Sequence, residues 1–155
     1  MKATSKVEAE IIAVLDKFSR FYGEKDIEGL ISLFAMDKEL IFVGTGKDEV
    51  RMGIAGVREQ IERNWFQSET LSIEFGSYLI SASDTTAWVY SDVAAHAIIA
   101  GDQMRYTGRL TCVMENIKGK WQIVQWHCSM PDVSQQEGES FSLGRLYVRY
   151  EEANQ

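Results

Sequence analysis

The sequence predicts an α+β domain in which N-terminal helices pack on one face of an antiparallel sheet. Apolar residues recur at helical spacing in the N-terminal part of the chain, four long β-prone stretches follow, and very short connections separate those stretches. Connections so short leave antiparallel pairing as the simple outcome for successive strands.

The first helix is carried by Val7, Ile11, Val14, Leu15, Phe18, Phe21 and Tyr22, while Glu8, Glu10, Asp16, Lys17 and Arg20 fall elsewhere on the helical wheel. Ser5 and Glu8 stand at capping-box spacing, and Gly23 marks a stop. Asp26 can cap a shorter second helix carrying Ile27, Leu30, Ile31, Leu33 and Phe34. Leu40-Ile41-Phe42-Val43, closed by Gly44-Thr45-Gly46, reads as a buried strand and turn, with Val50-Arg51-Met52-Gly53 as its candidate partner. Ile54, Val57, Ile61 and Trp65 restore a helical period to about Gln67. Residues 71–81, 85–100, 104–115 and 121–130 are then four long strands. Beyond Pro131 a polar stretch reads as a loop, and residues 141–150 fit either a strand or a helix.

Composition narrows the function classes. With 155 residues and 45% of them apolar, the chain is long enough to bury roughly 70% of its unfolded surface as one domain, without a metal or disulfide staple. Sixteen Lys plus Arg against 23 Asp plus Glu give a formal charge of −7, which argues against nucleic acid and anionic membranes as partners. No apolar run approaches the roughly 20 residues that span a bilayer. Two cysteines, no disulfide framework and no apolar leader after Met1 point to the cytoplasm. The histidines are too few and too far apart for a metal site. Gly44-x-Gly46 lacks the third glycine of a dinucleotide fingerprint, so no cofactor is expected.

The hairpin between the last two long strands sets an expected sorting of side chains. If Ile117-Lys118-Gly119 forms a three-residue loop, Asn116 faces Lys120 and parity divides the strands into two faces. Gly108, Leu110, Cys112 and Met114 then share a concave face with Gln122, Val124, Trp126, Cys128 and Met130. Arg109, Thr111, Val113, Trp121, Ile123, Gln125 and His127 fall on the other. That second face is mixed in polarity, as a subunit interface is, and a twofold homodimer through the sheet is the expected assembly.

The segment Glu24-Lys25-Asp26-Ile27-Glu28-Gly29-Leu30, the following Leu33-Phe34-Ala35, and Gly119-Lys120-Trp121-Gln122-Ile123-Val124-Gln125-Trp126-His127-Cys128-Ser129 resemble a SnoaL-like protein of the nuclear transport factor 2-like superfamily. The last segment also resembles the end of the association (hub) domain of calcium/calmodulin-dependent protein kinase II. The resemblance spans residues 5–131, taken as the domain, with 132–155 as a C-terminal extension. It implies a cystatin-like cone, a strongly curved antiparallel sheet wrapped round a long helix over an internal pocket, and usually a dimer. It does not imply one reaction, because this fold hosts enzymes, binding domains and assembly modules. For the ketosteroid isomerase branch, the catalytic tyrosine position falls on Phe18 and the base near Phe42, and residues 104–114 contain no Asp or Glu. For the hub branch, the pocket arginines correspond to Asp92, Cys112 and Cys128, so anion binding is not carried over.

If strand 85–100 keeps the even-numbered phase, Asp92 points into the cone, where burial would raise its pKa and suit it to general-base work. The alternative for Asp92 is a hydrogen-bonded structural role. Trp88, Tyr90 and His96 share its phase and join it as candidate pocket residues. Tyr106, Cys112, Trp126 and Cys128 complete that set on the neighbouring strands. His96 stands roughly 13 Å along the strand from Asp92, too far for a dyad. His127, across from Arg109 in this register, reads as an interface residue, and the two thiols as inert small hydrophobes. The resulting expectation is a pocket that binds a small apolar or mixed-polarity ligand. The alternatives are an isomerase, cyclase or hydrolase using Asp92, and a non-catalytic oligomerisation module.

Overall fold

The computed structural model describes residues 1–141; the undecided stretch from residue 142 onward lies outside the described residues. The elements, in chain order, are α1 (Ser5–Glu24), α2 (Ile27–Ile31), β1 (Ile41–Val43), β2 (Val50–Met52), α3 (Gly53–Phe66), β3 (Thr70–Ser83), β4 (Thr86–Ile99), β5 (Asp102–Ile117) and β6 (Lys120–Ser129). They form one six-stranded sheet in the order β2-β1-β6-β5-β4-β3, antiparallel throughout except for the parallel pair β1 and β6. The α+β architecture, with N-terminal helices on one face of a mostly antiparallel sheet, is the one the sequence predicts.

The helix ends differ in detail from the sequence reading. Thr4, not Ser5, is the N-cap of α1, its hydroxyl accepting the Val7 N–H at 3.3 Å. Lys25, not Gly23, turns the chain out of the helix in a left-handed conformation (φ 56°). Its ammonium reaches the carbonyl of Trp65 in the last turn of α3 and those of Ser68 and Glu69 just past it, so a cation serves the carbonyl-rich end of a second helix. Asp26 caps α2 as expected, accepting the Gly29 N–H at 2.9 Å. That helix stops at Ile31, however, and Leu33 and Ala35 exchange backbone hydrogen bonds with Ile123 on β6.

Curvature follows from irregularities in the strands that α1 touches. It packs against β3 at the sheet edge and also against β6, three strands away, and both strands carry register irregularities of the kind that bend a sheet, between Phe75 and Tyr78 and at Val124. The buried stripe of α1, Ile11, Val14, Leu15, Phe18 and Tyr22, is thereby enclosed. Trp126 lies at the centre of this core, 2% exposed, stacked on Phe18 at 4.3 Å between ring centroids and on Phe42 at 6.1 Å. An aromatic side chain of this size buries about 150–250 Å², so this cluster dominates the packing energy of the inner face.

The registers correct the expected face assignments. Lys118 and Gly119 both take positive φ in a two-residue turn, so Ile117 pairs with Lys120 rather than Asn116. A bulge follows where Met114 pairs with Ile123 but Val113 pairs with Gln125, leaving Val124 as the extra residue. The bulge swaps the parity of β6. Trp121 and Ile123 before it and Trp126 after it are all buried, whereas the single-parity reading put the first two outside. The turn into β5 is also two residues, Ala100 and Gly101, both at positive φ, with Ile99 paired to Asp102. An even-numbered residue on β4 therefore opposes an odd-numbered one on β5. The inward residues of β4 are the odd set, Ala87, Val89, Ser91, Val93, Ala95 and Ala97.

Candidate functional site

Beneath the helices lies a cavity of about 250 Å³. Its apolar wall comes from Phe18 on α1, Phe42 on β1, Ile73 on β3, Val93 and Ala95 on β4, and Trp126 on β6. Gly108 keeps the wall close on β5, because a Cβ there would stand 2.5 Å from the Ser129 carbonyl oxygen. The positions that the isomerase resemblance gives to a tyrosine and a base are thus two phenylalanines on either side of Trp126. Neither can transfer a proton.

Three of the sequence candidates, Tyr106, Trp126 and Cys128, line this cavity. Cys112 does not; it is buried in the core, paired with Trp126 rather than Val124. Trp88, Tyr90, Asp92 and His96 lie on the opposite, outer face of the sheet, because the two-residue turn after Ile99 sets the phase of β4 against that of β5. Asp92 is exposed, accepts the Tyr90 hydroxyl at 2.8 Å and stands across from Arg109. Donating that bond to a carboxylate holds the Tyr90 proton in place, so its pKa is raised. His96 lies 3.5 Å from Glu74, and His127 pairs with Thr111 rather than Arg109. The interior-carboxylate environment expected for Asp92 is therefore absent from its surroundings.

The cavity has polar groups that the sequence reading missed, drawn from α1, α3 and the loop joining β1 to β2. Tyr22, on the buried stripe of α1, accepts a hydrogen bond from Asn64 Nδ2 at 3.2 Å. Asn64 Oδ1 in turn accepts from Gln60 Nε2 at 2.9 Å. Gln60, 0% exposed, also donates to Glu49 Oε1 at 3.0 Å, where Arg63 Nη2 donates too, again at 3.0 Å. Arg63 holds Asp48 at 2.7 Å as well; that pairing lowers the Asp48 pKa and raises that of the guanidinium. Tyr22, Thr45, Glu49 and Asn64 all face the cavity.

Loop geometry fixes Glu49 there. The Glu49 backbone N–H donates to the Gly46 carbonyl, and the Gly44 N–H donates to the Glu49 carbonyl. The carboxylate folds back to accept the Gly46 N–H at 2.8 Å. A Cβ on Gly44 would lie 2.3 Å from Glu49 Oε2, and one on Gly46 2.8 Å from its Cδ. The two glycines read in the sequence only as an incomplete nucleotide fingerprint thus leave room for a carboxylate. A second signal was present in α3: Gln60, Arg63 and Asn64, at i, i+3 and i+4, sit beside the buried Val57, Ile61 and Trp65.

Burial sets the protonation of the other groups. It pushes the Tyr22 phenol up to about 12 against the lowering effect of its Asn64 hydrogen bond. It likewise pushes both thiols, Cys112 and Cys128, up to about 12, so each stays neutral near pH 7 and is a poor nucleophile. Both cysteines are free. Among the described residues, no group of three or more His, Cys, Asp or Glu is placed to hold a metal ion, and no helix is long and apolar enough to cross a membrane.

A curled sheet closed by helices over one mainly apolar cavity defines a pocket-bearing domain of the cystatin-like, nuclear transport factor 2-like fold. Residues 11–133 match the SnoaL-like domain, and the chain belongs to that family. A nuclear transport factor 2-like superfamily protein from Salmonella enterica superposes with a TM-score of 0.79 at 21% identity, over 90% of this chain and 100% of that one. A Nostoc punctiforme protein of unknown function with a cystatin-like fold gives a TM-score of 0.71 at 16% identity, over 86% and 97% of the two chains. A Xanthomonas campestris protein assigned to the calcium/calmodulin-dependent protein kinase II association domain gives 0.71 at 18% identity, over 80% and 87%. At these identities the likeness is one of fold. The comparison with curated proteins finds no match.

Proposed function

We propose that this SnoaL-like domain binds a small, mainly apolar molecule in the cavity beneath its helices. The observation that carries the reading is the contrast within one enclosure of about 250 Å³, where stacked aromatic walls meet a few fixed polar groups. That combination characterises small-molecule sites, and a volume below the usual 300 Å³ or so limits the ligand to about one or two rings. Proton-transfer chemistry based on Asp92 has no part in this reading, since Asp92 lies outside the cavity. Calorimetric titration with neutral, naphthalene-sized aromatics tests the proposal. Wild type binds them, whereas Ala95→Phe, which places a ring in the cavity, does not; equal binding by both proteins would sink the idea.

The outer face supports a second role, pairing with another copy of the chain. Two residue rows cross all six strands there, Leu79-Tyr90-Thr111-His127-Val43-Val50 and Ser81-Trp88-Val113-Gln125-Ile41-Met52. Leu79 at one edge of the sheet and Val50 and Met52 at the other are 68%, 61% and 60% exposed, with Trp88 at 39% between them, apolar surface spread across the face that a twofold dimer would cover. Sedimentation equilibrium decides it: Trp88→Glu lowers the mass of a sheet-mediated dimer to that of the monomer and leaves any other assembly unchanged. The two free thiols fit a reducing, cytoplasmic setting.

A further inference from the structure

We infer that the Tyr22 hydroxyl is the pocket's hydrogen-bond donor for a neutral oxygen on the ligand, a ketone, aldehyde or phenol, and that the groups around it select against carboxylates. This rests on the proposed small-molecule site and specifies the chemistry of its polar end. A phenol offers one proton and accepts through its oxygen. The oxygen of Tyr22 already accepts from Asn64 Nδ2, and among the described residues the Tyr22 proton has no acceptor within hydrogen-bond distance. Tyr22 is 8% exposed and lines the cavity, so an acceptor other than bulk solvent must come from whatever occupies that space.

Asn64 cannot turn to take the proton itself. Its Oδ1 is committed to Gln60 Nε2, and Gln60 is in turn held by Glu49 Oε1, so the relay runs in one direction, Gln60 to Asn64 to Tyr22. Rotating the Asn64 amide would point its N–H groups at Gln60 Nε2, donor against donor. The network therefore leaves Tyr22 as a donor towards the cavity, its oxygen already engaged. Burial keeps that proton in place, with the phenol pKa pushed up to about 12.

Local charge favours a neutral partner. Glu49 lines the cavity, and the cation beside it, Arg63, is already shared between Glu49 at 3.0 Å and Asp48 at 2.7 Å. Arg51 also stands near Asp48, but neither guanidinium lines the cavity; among the described residues Glu49 is the charged group on its wall, so the charge a ligand meets there is negative. A ligand carboxylate would meet that charge with no cation on the cavity wall to offset it, whereas a carbonyl needs only the Tyr22 proton.

The test uses three naphthyl probes with the full chain. 2-Acetylnaphthalene and 2-isopropenylnaphthalene have nearly the same shape and differ by C=O against C=CH₂, and 2-naphthoate supplies the anion. Tyr22→Phe should weaken the ketone by about fivefold to tenfold relative to the alkene, the effect of one net hydrogen bond of ordinary strength. In wild type, naphthoate should bind at least about tenfold more weakly than the ketone, and Glu49→Gln should narrow that gap. Should Tyr22→Phe fail to fold, the carbonyl stretch of the ketone bound to wild type gives the answer, at its hydrogen-bonded position if the inference holds and at its hexane position if it does not. Alkene binding with a ketone-to-alkene ratio unchanged by Tyr22→Phe overturns the Tyr22 assignment alone. Naphthoate binding as tightly as the ketone overturns the charge selection. Failure of the alkene and ketone alike to bind folded wild type overturns the small-molecule reading on which both depend.

Discussion

Two tryptophans on β6 and β4, either side of β5 in the same sheet, provide a quantitative check on which side chains the sheet turns inward. Trp126 is 2% exposed and in ring contact with Phe18, Phe42, Phe34 and Phe75, whereas Trp88 is 39% exposed on the outer face. Burial of about 150–250 Å² at about 25 cal/mol per Å² makes the Trp126 side chain worth about 4–6 kcal/mol. Alanine retains a little of that area. Part of the indole already faces the cavity, where it has no packing partner, and these two corrections bring the expected loss for Trp126→Ala to about 4 kcal/mol. Trp88→Ala loses only the partly buried portion of its ring, about 1 kcal/mol in the monomer. Urea unfolding followed by far-ultraviolet circular dichroism, at protein concentrations low enough that subunit pairing does not contribute, measures both. Comparable losses for the two variants would refute the assignment of odd-numbered β4 residues to the interior and the parity change in β6.

Other consequences follow from the same geometry. Raising the pH selectively destabilises the fold: Cys112 and Cys128 ionise near 9 when unfolded but only near 12 when folded, so their contribution is intact below pH 9 and is lost as the pH climbs through 12. Near pH 11 each thiol costs about 2–3 kcal/mol, and Cys112→Ala should flatten the alkaline limb of a melting-temperature profile; an unchanged limb contradicts the burial cause. Gly44→Ala drives a methyl group against Glu49 Oε2 and should cost about 1–2 kcal/mol, with the loss mostly relieved in the Gly44→Ala, Glu49→Ala double variant. Chemical denaturation of the four proteins of that cycle gives the coupling, and additive losses count against it. Asp26→Ala should cost about 1 kcal/mol through loss of the α2 cap, read from a urea midpoint, while Asp26→Asn should retain most of the stability.

Much of the fold is legible in short-range pattern. Val7 to Tyr22 encode α1 because their spacing places one apolar stripe on a helix, and Asp26 encodes the start of α2 because a carboxylate can accept an N–H within one turn. Even the strand-forming segments and their antiparallel order follow from short connections between β-prone runs. The face of each strand is less local. A one-residue difference in a turn reverses a strand's phase, which is why Asp92, Tyr90, Trp88 and His96 were expected in the pocket and lie outside it. The bulge at Val124 acts in the same way, and it falls where the partner of β6 changes from the 33–35 segment to β1.

The amino-acid sequence by itself determined the element order, the apolar stripes of the helices and the family resemblance, because each depends on residues close together in the chain. Tertiary structure decided which residues meet in the cavity. Tyr22, Glu49, Gln60 and Asn64 come from a helix, a loop and another helix, and their hydrogen bonds exist only once α1 and α3 are packed on the curled sheet. Side-chain direction alternates with every residue along a strand, so turns and bulges carry information about the pocket that composition and periodicity do not.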